Sequence, residues 1–230
     1  MAVVEERPAA AVLPAADPAP LGLAAFALTT FMLSGHNANF IPDVVWVGLA
    51  LFYGGTVQLL AGMWEFRNRN VFGATAFSTY GGFWLSLGIF VVFAVNTKLS
   101  TLLKGTDLNN SLAWYLFAFA VFNTYMLLWS TRVNGAVFAV FLTLEITEIL
   151  LAIGFWVGAH RGIALASGAD DGWIKAGGWA GVITAATAWY ASAGLVLSGM
   201  AGRPILPLGK PFWTGTTLPT GRRAMPARAR

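Results

Sequence analysis

The chain has 230 residues, 57% of them hydrophobic and 10% charged, with a formal net charge of +4 and no cysteine. A soluble domain carries about a quarter charged residues, so this composition excludes an ordinary globule in water, and the lack of cysteine excludes disulfides and thiolate metal sites. The positive charge sits mostly near the two ends and in loops, which reads as membrane orientation and not as a nucleic-acid surface.

Residues 1–16 carry Glu5, Glu6 and Arg7 among Ala and Pro, without the apolar core of a signal peptide. A disordered tail is expected there. The membrane domain is expected over 17–209. It opens on Asp17, Pro18, Ala19, Pro20, Leu21, Gly22 and Leu23. The two prolines keep the approach extended, Asp17 can accept N–H groups where the first helix starts, and Gly22 leaves room for a neighbouring backbone.

A hydrocarbon core needs about 20 apolar residues per helix, and six segments qualify: roughly Leu21 to Asn39, Val45 to Phe66, Val71 to Val95, Ser111 to Ser130, Gly135 to Ala159 and Trp173 to Met200. A turn around Pro42, a basic loop from Arg67 to Asn70, a polar loop from Lys98 to Asn110, and a Gly- and Asp-rich loop from Arg161 to Gly172 separate them. Gly177 and Gly181 stand at a spacing that lets membrane helices touch. A basic tail, 210–230, closes the chain. With both termini on one side, that side holds ten Lys and Arg and the other four, so both termini are expected to be cytoplasmic. The fold class is therefore an all-α, multi-pass membrane protein of the plasma membrane or bacterial inner membrane.

Two clusters could carry chemistry. Thr75, Ser78, Thr79 and Tyr80 crowd about two turns of the third segment, where a water-lined passage or interhelical hydrogen bonding would explain them. Glu145 and Glu148 lie three apart on the fifth segment. A carboxylate deep in a bilayer costs several kcal/mol unless it is paired, wet or protonated, so one of the two is expected to couple transport to protons. Glu65 beside Arg67 and Arg69 reads as an interfacial ion pair. A lone histidine such as His36 reads as structural, and the ten tryptophans read as interface belts and core packing. No nucleophile elbow, phosphate loop or dinucleotide fingerprint is present. No enzyme activity, metal or cofactor is expected.

Four stretches resemble the acetate uptake transporter family, which includes the bacterial succinate–acetate permeases and the fungal acetate and ammonia-export proteins. They are Asp17 to Leu23; Phe52-Tyr53-Gly54-Gly55 with Gln58, Ala61-Gly62 and Glu65; Asn70 to Trp84; and Gly202 to Gly209. The resemblance implies six helices around a pore in each subunit, a homohexamer, and passage of acetate and related short monocarboxylates, with succinate in some members. It also implies a hydrophobic constriction on Phe26, Tyr80 and Leu144. Polar groups on either side, Thr75, Ser78, Thr79, Asn37 and Gln58, would hold the solute, and a helix N-terminus near Leu21 or Val71 would attract its carboxylate. Two departures stand out: Asp17 replaces the signature Asn, and Glu145 and Glu148 replace apolar or hydroxyl-bearing residues. Channel-like passage and proton symport both fit. Ammonium movement and a non-transporting sensor or assembly protein are the alternatives. Small carboxylates and membrane lipid are the expected partners, and nucleic acid is not.

Overall fold

The structure is a computed structural model that describes residues 15–41, 44–96, 107–163, 165–169 and 171–213. Most of the two expected tails, the turn at Pro42 and the loop with Lys98 and Lys104 lie outside the described residues. The described elements are helical. They are α1 (Ala19–Asn37), α2 (Trp46–Leu51), a π-helical turn (Phe52–Val57), α3 (Gln58–Arg67), α4 (Val71–Val95), α5 (Leu108–Ser130), α6 (Gly135–His160) and α7 (Gly172–Ala201). Counting α2, the π turn and α3 as one, six helices are long and apolar enough to cross a membrane.

Caps set the boundaries. Asp17 Oδ1 accepts the Ala19 N–H at 2.9 Å, with Pro18 at the cap position and Pro20 in the first turn, so α1 starts two residues before the expected Leu21. Asn70 and Asn134 cap α4 and α6 by accepting from Gly73 and Val137. Asp107 accepts from the Asn110 N–H at 2.9 Å and starts α5 three residues before the expected Ser111. Asp171 caps α7 through the N–H groups of Trp173 and Ile174 and is also bound by Arg161 at 3.0 Å. Each cap satisfies donors that a helix start would otherwise leave open.

The second span departs from the expected continuous helix. At Gly54 an added Cβ would come within 2.8 Å of Thr29 carbons, and at Gly55 within 2.8 Å of Leu85. With glycine at both positions the chain fits between α1 and α4. Thr56 Oγ1 turns back to the Leu51 carbonyl at 2.9 Å, which supports the wide turn. Below it, Gln58, Ala61, Gly62 and Glu65 form one buried stripe at helical spacing.

The helices close into a ring. α1 lies against α7, α7 against α6, and α6 against α5; on its other side α1 meets the π turn and α3, which packs on α4. Glycines make the tight contacts. Gly177 sits on Leu151 of α6, Gly178 on Ala38 after α1, and Gly181 between Ser34 and Thr147. The expected role of Gly177 and Gly181 in close packing is therefore filled inside one chain. Gly22 meets the Phe77 ring, within 2.8 Å of where a Cβ would stand. α4 and α5 meet mainly through side chains: Phe83 packs on Tyr115 (ring centroids 5.3 Å) and Phe119 (4.8 Å), and the Tyr115 hydroxyl donates to the Phe83 carbonyl at 2.8 Å. Large apolar side chains such as Phe52, Leu128, Ile183 and Met200 point outward, as lipid-facing surface does.

Candidate functional site

The ring encloses two chambers stacked end to end. The near chamber lies at the α1 N-terminus and holds about 800 Å³, its mouth included; Asp17, Leu23, Gln58, Glu65, Asn70 and Asn134 contribute to its wall. The far chamber lies at the α1 C-terminus and holds about 1040 Å³, again with its mouth included; Thr30, Asn37, Trp46, Trp84, Thr147 and Glu148 contribute to its wall. Among the described residues, three line both chambers: Phe26, Tyr80 and Leu144. They come from α1, α4 and α6, and all three are buried. The Phe26 and Tyr80 rings meet edge to face with centroids 5.8 Å apart, an arrangement worth about 0.5–1.5 kcal/mol beyond area burial. Such a neck is apolar except for one hydroxyl, so a hydrated ion finds no replacement for its water there.

That hydroxyl is held from behind. The Tyr80 hydroxyl donates to Asn123 Oδ1 at 2.9 Å and lies 3.4 Å from Glu148 Oε1. Asn123, wholly buried on α5, gives its own N–H groups to the Phe141 carbonyl at 2.9 Å and Glu145 Oε2 at 2.7 Å. Glu145 Oε1 accepts from Thr124 at 2.8 Å. The two acidic residues are thus separated in role: Glu148 faces the far chamber beside the neck, whereas Glu145 faces the α5 seam and lines neither chamber.

The unpaired polar atoms are concentrated in the chambers. Among the described residues, seven buried side-chain N or O atoms have no protein partner: Thr30 Oγ1, Trp46 Nε1, Trp84 Nε1, Glu148 Oε2, Gln58 Oε1, Glu65 Oε1 and Ser78 Oγ. The first four line the far chamber and the next two the near one. Buried polar groups are almost always satisfied, so atoms left open on a chamber wall are positioned for water or solute.

The other expected pathway residues divide. Asn37 lines the far chamber and Gln58 the near one, but Thr75, Ser78 and Thr79 are absent from both walls. Ser78 and Gly81 in the polar half of α4 serve packing. A Cβ on Gly62 would lie 2.7 Å from the Ser78 nitrogen, and one on Gly81 would lie 2.8 Å from Leu59, so small residues bring α3 and α4 close. The expected capture of a solute carboxylate by the α4 N-terminus near Val71 also meets an obstacle. Glu65 Oε1 already sits against that first turn, 2.7 Å from where a Cβ of Gly73 would be. His36 Nδ1 pairs with the Ile41 carbonyl at 3.3 Å, and no cluster of metal-binding residues occurs among the described residues. Sequence reasoning missed Thr30, Ser34, Trp46, Trp84, Asn123 and Thr147. A signal was present in Thr30, Ser34 and Asn37, which recur at helical spacing on an otherwise apolar α1.

A family model described as the GPR1/FUN34/yaaH family matches residues 6–202. The chain is 42% identical over 181 residues to ammonia transport outward protein 2 of Saccharomyces cerevisiae, covering 76% of this chain and 59% of that protein. It is 40% identical over 216 residues to acetate permease A of Emericella nidulans, covering 90% and 69%. It is 36% identical over 198 residues to the succinate-acetate/proton symporter SatP of Escherichia coli strain K12, covering 85% and 96%. The chain thus spans about three-fifths of the length of the yeast relative and nearly all of the bacterial one. The solved structure of the bacterial acetate channel SatP superposes with a TM-score of 0.72 at 36% identity, covering 85% of this chain and 99% of that one.

Proposed function

The chain belongs to the GPR1/FUN34/yaaH family of multi-pass membrane proteins, and from that premise we propose that it moves acetate and related short carboxylates, succinate among them, across the plasma or bacterial inner membrane. The observation that carries the reading is the neck: two solute-sized chambers joined only by Phe26, Tyr80 and Leu144. A small acid can shed its water and cross such a constriction where a hydrated inorganic ion cannot. Support also comes from the acetate permease and symporter names of the relatives and from the acetate channel it superposes on. The open indole N–H groups of Trp46 and Trp84 are donors without an acceptor function, which suits a carboxylate in the far chamber. With cytoplasmic termini, that chamber opens outward. We expect the working form to be a homohexamer, which native mass spectrometry of the detergent-solubilised protein would check.

The deciding experiment is labelled-acetate uptake into proteoliposomes, with and without an inward proton gradient, for the wild type and Leu144→Ala. Acetate uptake that Leu144→Ala accelerates is the expected result. If neither protein moves acetate, the substrate reading fails. One second reading has an observation behind it. The open atoms of the near chamber, Gln58 Oε1 and Glu65 Oε1, are acceptors of the kind an ammonium ion would seek, and one relative is named for ammonia transport. Ammonium flux in the same vesicles without acetate flux would favour it.

A further inference from the structure

The hydrogen bonds behind the neck run in one direction. Asn123 donates to the Phe141 carbonyl and to Glu145 Oε2. A backbone carbonyl has no proton to give, so the amide orientation is fixed and Oδ1 faces Tyr80. Tyr80 has one hydroxyl proton, and the 2.9 Å contact commits it to that oxygen. Glu148 Oε1, at 3.4 Å, then meets a phenolic lone pair, and a hydrogen bond between them needs a proton on Glu148. The second oxygen of Glu148, Oε2, is buried on the far-chamber wall with no protein partner. Glu145 is the contrary case, with both oxygens engaged by Asn123 and Thr124 and no place on either wall.

We propose that Glu148 is the residue that carries the co-transported proton, passing it from its chamber-facing carboxyl to a monocarboxylate in the far chamber, while the Tyr80 hydroxyl senses whether that proton is present. The proposal rests on the carboxylate reading above. The step is balanced: the O–H bond of the Glu148 acid breaks, an O–H bond forms on the solute carboxylate, and the chamber's net charge is unchanged. The neutral acid then crosses the neck, and Glu148 regains a proton from water on the far side. Ionised Glu148 turns the Tyr80 proton away from Asn123, which ties the proton's presence to the neck itself.

Few other groups could take the part. The titratable residues on the far-chamber wall, among those described, are His36, Tyr80 and Glu148. α5 brings Tyr115 and Tyr125, which pack on Phe83 and Phe122; α6 itself adds Glu145; α7 and α2 offer Thr184 and Trp46, which do not titrate. His36 stands at the end of α1, paired with the Ile41 carbonyl.

The test compares three variants with the wild type in acetate-loaded and proton-loaded proteoliposomes. Glu148→Gln still offers Tyr80 a donor but has no exchangeable acid, so gradient-driven accumulation should fall by about 10-fold or more and its pH dependence flatten. Tyr80→Phe keeps the ring and should carry fewer protons per acetate. Glu145→Gln should keep the wild-type pH profile, because the Phe141 carbonyl still orients Asn123. The proposal is overturned if Glu148→Gln accumulates acetate as the wild type does, or if Glu145→Gln is the variant that loses coupling. Should Glu148→Gln fail to fold, infrared difference spectra of the wild type on adding acetate decide the matter: a perturbed protonated-carboxyl band supports the proposal and its absence sinks it. A wild type that equilibrates no acetate at any pH marks the separate failure of the substrate reading.

Discussion

The two chambers share a neck and differ in what they offer a solute. The far chamber presents donors and an acid: two indole N–H groups, the Thr30 hydroxyl and Glu148, with Ser34 and Asn37 on the same helix. The near chamber presents acceptor oxygens, Gln58 Oε1 and Glu65 Oε1, beside the capped N-termini of α1, α4 and α6. At the helix N-termini part of the donor capacity is already taken. Asp17, Asn70 and Asn134 each engage one N–H there, and the Glu65 carboxylate sits against the first turn of α4. On the proposed reading, the far wall, made of side chains with unfilled hydrogen bonds, offers a carboxylate its donors. The near wall suits the neutral acid, which arrives with a proton to give.

Abolishing the division gives the largest expected effect. Phe26→Ala combined with Leu144→Ala removes two of the three neck side chains, and inorganic ion leak through proteoliposomes should rise by about an order of magnitude or more. A leak no larger than the wild type's would mean that the chambers are separated elsewhere. Next in size are the far-chamber donors. Trp46→Phe and Trp84→Phe each keep a ring and lose one N–H, and each should raise the half-saturation concentration for acetate by about 3- to 10-fold, the value of one hydrogen bond. Gln58→Leu in the near chamber should change that constant by less than about 3-fold. An equal effect in both chambers would erase the distinction drawn here.

The smallest transport effect belongs to the far mouth. Asn109 donates to the Ile163 carbonyl at 2.6 Å and accepts from Ala166 at 2.7 Å. It thereby pins the loop whose Leu165, Ala166 and Ser167 edge the far chamber. Asn109→Ala should cost about 1–3 kcal/mol of stability, the usual cost of leaving buried polar groups unpaired, seen as a lower melting temperature, while acetate flux through the surviving protein stays near that of the wild type.

Much of the fold was legible in the sequence because membrane helices announce themselves by length and hydropathy, and the six expected spans fall on the six that the structure contains. The π turn was not legible. Phe52 to Val57 is as apolar as its flanks, and the contacts that call for glycine at positions 54 and 55 include Thr29 and Leu85, far away in sequence. In the pathway, the densest run of hydroxyls points to Thr75, Ser78 and Thr79, yet none of the three lies on either chamber wall, and Ser78 packs against Gly62 of α3. The sparser stripe of Thr30, Ser34 and Asn37 lies on the chamber wall. Spacing recorded which residues share a helix face, but not which neighbour that face meets. Glu145 and Glu148 show the same limit, since three positions along one helix separate a seam from a chamber.

The ring has one stiff wall and one compliant one. Where α1, α7 and α6 meet, glycines bring backbones within reach, so any sliding there drives main chain into side chain. Where α4 meets α5, stacked rings fill the gap, and rings can tilt without moving the helices that bear them. Dilation of the pore for a bulkier acid would therefore strain the aromatic wall first, making this seam the elastic element that sets the size cut-off.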